Sequence, residues 1–250
     1  MAEHLTRRQA LKLAAGMGGA LAAGAALPAC GSSVGNAGER DPYPWPYLPL
    51  DLTKSGELGY ENYRVGHCAY AVFTSIAGQV ANFLGEPFTF FPFDMWRFGA
   101  AGIANWGTVC GTVNGASAAI ALFFKEPDDM ISELLTWYEN TALPVYEPEN
   151  PVLPMDMPAT EAASPLCHLS VGKWIKASGF EASSPERTER CARLAADVTR
   201  KTVEILNLAF DRRFVFHGLD PQTQECLACH GQGKKNDDIK SQMHCTTCHD

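Results

Sequence analysis

Two Cys-x-x-Cys-His units, "CLACH" at 226–230 and "CTTCH" at 245–249, stand within the last 25 residues of a 250-residue chain. Each is an attachment signature for a c-type haem, in which two thiols add across the porphyrin vinyl groups and the trailing histidine binds iron. One short turn must present both sulfurs to the porphyrin edge and the imidazole to its face. Cys226, Cys229, Cys245 and Cys248 are therefore read as covalent attachment points, with His230 and His249 as proximal axial ligands. A zinc site is the competing reading; the histidine in both copies favours haem. Only fourteen residues, 231–244, separate the first histidine from the next cysteine. So short a link forces two haems close together, which suits an electron conduit or a two-electron store.

The sixth ligands set the chemistry. An open iron can act on small molecules, whereas a second His or Met closes it for electron transfer. His217, nine residues before the first unit, and His244, directly before the second, are the distal candidates, with Met243 a weaker one. Bis-His ligation at both sites implies low-spin, closed irons.

The N-terminus reads as an export signal over residues 1–29. Arg7, Arg8 and Lys12 precede an apolar, Ala/Gly-rich run, and the Arg pair gives it twin-arginine character. An ordinary secretory signal is the alternative. "LPAC" at 27–30 is similar to a bacterial lipobox, making Cys30 a candidate for lipid attachment; plain cleavage after Ala29 is the other reading. Residues 30–50, rich in Gly, Ser and Pro, read as a flexible tether. The expected location is the periplasm or the extracytoplasmic face of the membrane, with a lipid as the sole anchor. Net charge is −8 for the whole chain. Residues 1–29 hold three basic residues and one acidic, so the remainder carries −10. That balance argues against nucleic acid and suits basic redox partner proteins.

With 46% hydrophobic residues the chain can bury a sizeable core. Helical spacing dominates: a run over 62–84, a second over 97–124, a short helix over 129–142, another over 166–177, and a long one opened by Ser184 and Pro185 and closed at Gly218. In the second run, Gly107, Gly111, Gly115 and Ala119 recur every fourth residue and make a smooth stripe for close helix approach. Six prolines between 144 and 165 mark an extended crossing. "FTFFPF" at 88–93 is the one strand candidate, interrupted by Pro92. The expected fold is all-α: a helical domain of about five helices over 51–215, then a short loop-rich dihaem segment over 216–250.

Nine cysteines are present, and four remain after Cys30 and the haem units: Cys68, Cys110, Cys167 and Cys191. In an exported chain they can form two disulfides, stay as buried thiols, or bind metal. His67 and His168 adjoin two of them and are reserve ligands. A twin-arginine route, which exports folded proteins with cofactors inserted, favours an iron or iron–sulfur site.

The chain resembles the split-Soret cytochromes c. The resemblance rests on "GHCAYAVFTSIAG" (66–78), "GTVCGTVNGASAAIAL" (107–122), "SPLCHLSVGKWIKASG" (164–179), "ERCARLAADVTRKTVEILN" (189–207) and the paired haem units, and runs from about residue 52 to the end. A related redox family with a Cys–GCAxxG–Cys–Cys signature is matched loosely, since His67 and Val72 stand where that signature has glycines. The resemblance implies a homodimer with stacked bis-His haems, one axial histidine from the partner subunit, and a pocket of Cys68, Cys110, Cys167 and Cys191 for mononuclear iron or an iron–sulfur cluster. The leading expectation is an exported dihaem electron-transfer protein. An oxidoreductase acting at the Cys pocket or an open haem, and a sensing module, are the alternatives.

Overall fold

The helical periodicity becomes five α-helices over residues 51–215 in the computed structural model, which describes residues 43–249. The export leader, Cys30 and the first part of the tether lie outside the described residues. Helix α1 (Leu52–Leu84) starts where Asp51 accepts a hydrogen bond from the Lys54 amide at 2.7 Å. Helix α2 spans Gly111–Phe123, α3 Asp128–Asn140, α4 Cys167–Ser178 and α5 Pro185–Phe210. Ser184 caps α5 by accepting from the Arg187 amide at 3.1 Å, with Pro185 at the first helical position. The two long helices, α1 and α5, form the main packing pair, and α2 lies against α1. Val72, Ile76 and Val80 of α1 and Leu194, Val198 and Ile205 of α5 are buried between them. Two short strands, β1 (Ala142–Leu143) and β2 (Thr160–Glu161), pair antiparallel and tie off the proline-rich crossing. The fold is mostly α, as expected, and among the described residues no helix is long and apolar enough to cross a membrane.

Several expectations need correction. Residues 43–50, assigned to the flexible tether, lie on the core. Trp45 is buried edge-on against Phe88 and Phe91, and the Tyr47 hydroxyl donates to Asn207 at 2.7 Å. Aromatic burial overrides the proline content there. The helix expected over 97–124 is a 3₁₀ segment (Phe93–Gly99), an irregular loop, and then α2. Gly107 lies in that loop, while Gly111 and Gly115 do mark a close approach. A Cβ on Gly111 would overlap the Gly99 carbonyl, and one on Gly115 the Ala69 carbonyl. The strand candidate is a 3₁₀ turn over Phe88–Phe90. Helix α5 ends at Phe210 rather than at Gly218. The tail carries a sixth helix, α6 (Pro221–His230), missed because its faces are not segregated by polarity.

Helix α1 is broken at His67, whose backbone sits at φ 63°, ψ −162°. That region is essentially reserved for glycine, and a side chain there costs on the order of 1–3 kcal/mol. The break divides α1 into two helical stretches and makes Cys68 the first residue of the second. His67→Gly is expected to raise stability by about 1 kcal/mol, strain relief exceeding the added freedom of the unfolded chain. A higher thermal midpoint checks this; a lower one would mean the imidazole itself holds the kink.

Candidate redox centres

The first centre is assembled from α6 and the tail after it. Asp220 accepts from the Gln222 and Thr223 amides at 2.9 and 3.2 Å, and Pro221 fits the first turn. The helix then runs to His230, placing Cys226, Cys229 and His230 in its last turn, at the i, i+3, i+4 spacing that shares a face. The His230 Nδ1 lies 2.9 Å from Asp238 Oδ1. A carboxylate only accepts, so Nδ1 carries the proton and Nε2 keeps its lone pair for a metal. The second unit forms a 3₁₀ turn over Cys245–Thr247. The Cys245 thiol donates to the Met243 carbonyl at 3.6 Å, and burial chiefly, then the neighbouring Cys226 thiol, raises its pKa.

The distal candidates are held differently. Glu133 clamps His217 twice, accepting from its backbone amide at 3.1 Å and from Nδ1 at 3.0 Å. The His217 side chain is 76% exposed, so its Nε2 faces outward with the proton position fixed. His244 is 15% exposed and its Nε2 stands 3.6 Å from Asp220 Oδ1. Its Nδ1 meets the Thr246 hydroxyl at 3.1 Å, and its amide donates to Glu139 at 3.3 Å. Burial raises the Glu139 carboxyl pKa. Beside these residues lies a cavity of about 830 Å³ between α3 and the tail, lined by Leu135, Leu227, Ile239, Met243, Lys234 and Lys240. It falls in the size range of cofactor sites.

The second centre gathers the four remaining cysteines. All four are buried free thiols, so the disulfide alternative does not hold here. Cys68 opens the second half of α1, Cys110 caps α2 and Cys167 begins α4. Three of the four thus stand at helix starts, where unpaired amides and the helix dipole favour a thiolate. Two backbone bonds of 2.7 Å, Cys110 amide to Pro165 carbonyl and Cys167 amide to Thr108 carbonyl, set Cys110 and Cys167 side by side. The Cys167 thiol donates to Cys110, and Thr112 and Tyr138 add hydrogen bonds, holding Cys110 below the ordinary thiol range despite its burial. Cys167 is pushed up by donating that bond and then by burial, and Cys68 by burial. Cys68, Cys110 and Cys191 all contribute charge at Cys167, so the thiols converge. As placed, no three His, Cys, Asp or Glu side chains among the described residues stand at metal-holding distance. The set is gathered but not closed on one point.

A solvent-open cavity of about 470 Å³ reaches Cys68, Cys167 and Cys191, with His67, His168 and Arg187 also on its wall. The His168 Nδ1 bonds the Gly107 carbonyl at 3.0 Å, which leaves Nε2 open. Cys191 is flanked on α5 by two guanidiniums. Arg187 hydrogen-bonds it, and Arg190, 1% exposed, approaches its sulfur at 3.9 Å. Sequence reasoning missed Arg187, Arg190, Tyr138, Glu133 and Asp238. The one available signal was Arg190, a charged residue adjoining Cys191 within the apolar stripe of α5.

Comparison with known proteins follows this geometry. Residues 66–205 match the family described as "Putative redox-active protein (C_GCAxxG_C_C)". The chain is 37% identical over 242 residues to the split-Soret cytochrome c of Desulfovibrio desulfuricans, covering 92% of this chain and 85% of that protein. It also matches a solved structure described as a novel iron centre in the split-Soret cytochrome c from the same organism. The TM-score is 0.79 with 36% identity, over 82% of this chain and 90% of that one.

Proposed function

The chain belongs to the split-Soret cytochrome c family, and from that premise we propose that it is an exported dihaem electron-transfer protein with a second iron centre in its Cys pocket. A redox role with haem and iron is common ground with its relatives. The finer reading is carried by one observation: two complete attachment motifs whose leading sulfurs adjoin, beside a cofactor-sized cavity.

In that reading Cys226 and Cys229 hold one haem and Cys245 and Cys248 the other. His230 and His249 bind the irons from the proximal side. Haem iron supplies a one-electron centre cycling between ferric and ferrous states. Asp238 fixes the proton on His230 Nδ1 and orients the ring. Lys234 and Lys240 on the cavity wall offer cations to propionate carboxylates. The outward Nε2 of His217, clamped by Glu133, suits an axial ligand given to a partner subunit in a homodimer. His244 serves as the distal ligand within its own chain, which requires its Nε2 to leave Asp220. With these ligands both irons would be bis-His, which suits electron transfer rather than small-molecule binding. In this reading the leader exports the protein across the cytoplasmic membrane, Cys30 carries a lipid tether, and redox partner proteins exchange electrons with it.

The Cys pocket fits a soft, thiolate-seeking iron or iron–sulfur centre by its donor chemistry: four buried free thiols, three at helix starts, one held below the thiol range. Cys68, Cys110, Cys167 and Cys191 would hold it. Iron counted per chain against haem tests this in anaerobically purified protein. The expected result is iron in excess of haem, with the excess lost in Cys110→Ser at unchanged haem content. Equal counts would remove the second centre.

A second reading, reduction of a small molecule at the Cys pocket, is favoured by the solvent-open cavity that reaches three thiols. Carbon monoxide binding to the reduced protein would show an open haem as well; a low-spin spectrum that ignores it leaves the Cys pocket as the place for such chemistry.

A further inference from the structure

Two arginines one turn apart on α5 are almost wholly buried, Arg190 at 1% and Arg193 at 2% exposure. Their surroundings differ. Arg193 is paired with two carboxylates, Glu189 at 3.1 Å and Glu147 at 2.9 Å. Arg190 has no carboxylate within ion-pair distance among the described residues. Its Nη2 donates to the Ser170 hydroxyl at 2.8 Å, its Nη1 approaches the Cys191 sulfur at 3.9 Å, and its Nε is buried without a partner. Ser170 in turn contacts the Tyr138 hydroxyl at 2.9 Å, and Tyr138 neighbours Cys110 closely enough to lower its pKa. Arg190 therefore reaches Cys191 directly and Cys110 through two hydroxyls.

A guanidinium cannot shed its proton to escape burial, and an uncompensated buried charge costs several kcal/mol. Asp197 on the same helix acts on Arg190 only at a distance, without an ion pair, and the group in direct contact that can become an anion is the Cys191 thiol. A metal that brings these thiols to their ionised state converts a costly lone cation into one half of a pair. On the reading that the four cysteines hold a metal, we propose that Arg190 is the fixed counter-charge of that centre: a positioning residue that stabilises the thiolate-bound state and has no comparable role when the thiols are protonated. It does not itself ligate.

The test uses haem-loaded protein stripped of non-haem metal, titrated with Zn²⁺ by calorimetry. Arg190→Gln can keep the Ser170 bond but loses the charge; Arg190→Lys keeps the charge without the planar fork. At the several-ångström separation seen here, loss of the charge is expected to weaken Zn²⁺ binding by about tenfold or more, and Lys to retain affinity within about threefold. Thermal midpoints add a second readout. Metal-free Arg190→Gln is expected to be at least as stable as metal-free wild type, while the Zn²⁺-loaded variant melts below loaded wild type. Unchanged Zn²⁺ affinity in Arg190→Gln would overturn the proposal, as would a loss in Arg190→Lys as large as in Gln, or an equal drop in stability with and without metal. Wild-type protein that takes up no Zn²⁺ would instead sink the metal-pocket reading on which the proposal rests.

Discussion

Cys245→Ser with Cys248→Ser is expected to halve the covalently bound haem, from two per chain to one, measured by pyridine haemochrome against protein mass. Without thioether bonds, a single histidine two residues past a short 3₁₀ turn is a weak hold on a haem. The first unit is expected to survive. Helix α6 has its own N-cap in Asp220, and His230 is fixed by Asp238, neither of which depends on the second pair of thiols. An unchanged haem content would mean that the second unit binds something else, zinc being the obvious candidate.

Glu189→Ala is expected to be the most damaging single change to the folded core. Glu189 is buried and accepts from the Tyr60 hydroxyl at 2.7 Å, Arg193 Nε at 3.1 Å and Arg64 Nη2 at 2.7 Å. Removing the carboxylate leaves buried Arg193 with the exposed Glu147 as its one ion-pair partner among the described residues, besides a 3.4 Å bond to the Met155 carbonyl. Breaking a buried pair on one side costs about 3–5 kcal/mol. In a chain of this size that lowers the thermal midpoint by on the order of 10 °C. A drop of a degree or two would show that water reaches the cluster and screens it.

Much of the architecture was legible in the sequence where one rule acted alone. The Ser184–Pro185 start of α5 was readable because a cap and a first-turn proline leave local signatures. The close approach at Gly111 and Gly115 was readable because small residues every fourth position have few other uses. Errors came where tertiary packing outweighed local preference. The loop at 100–110 interrupts an otherwise helical pattern because Cys110 bonds backbone to Pro165, far along the chain. Residues 43–50 look like linker, yet two aromatic side chains draw them onto the core. Helix α6 was hidden because it has no segregated apolar face.

The candidate sites divide the same way. The candidate attachment cysteines and proximal histidines could be named from sequence because thioether chemistry demands a fixed local spacing, independent of the rest of the fold. The distal histidines were named from nearness in sequence, and their surroundings differ: His217 is clamped outward by Glu133, while His244 faces Asp220. Nothing in the local sequence encodes which carboxylate meets which imidazole, since each pair joins separate segments.

What the sequence alone determined is the set of chemistries available: two Cys-x-x-Cys-His motifs suited to haem attachment, four spare thiols and enough apolar residues for a helical core. Only the tertiary structure decided that those thiols are free, that three of them sit at helix starts, and that Arg190 faces them without a carboxylate while Arg193 has two. The physical reason is range. Covalent spacing acts over a few residues and is written in order along the chain. Charge compensation in a buried pocket depends on which groups folding brings within a few ångströms, and those groups come from segments 20 to 80 residues apart.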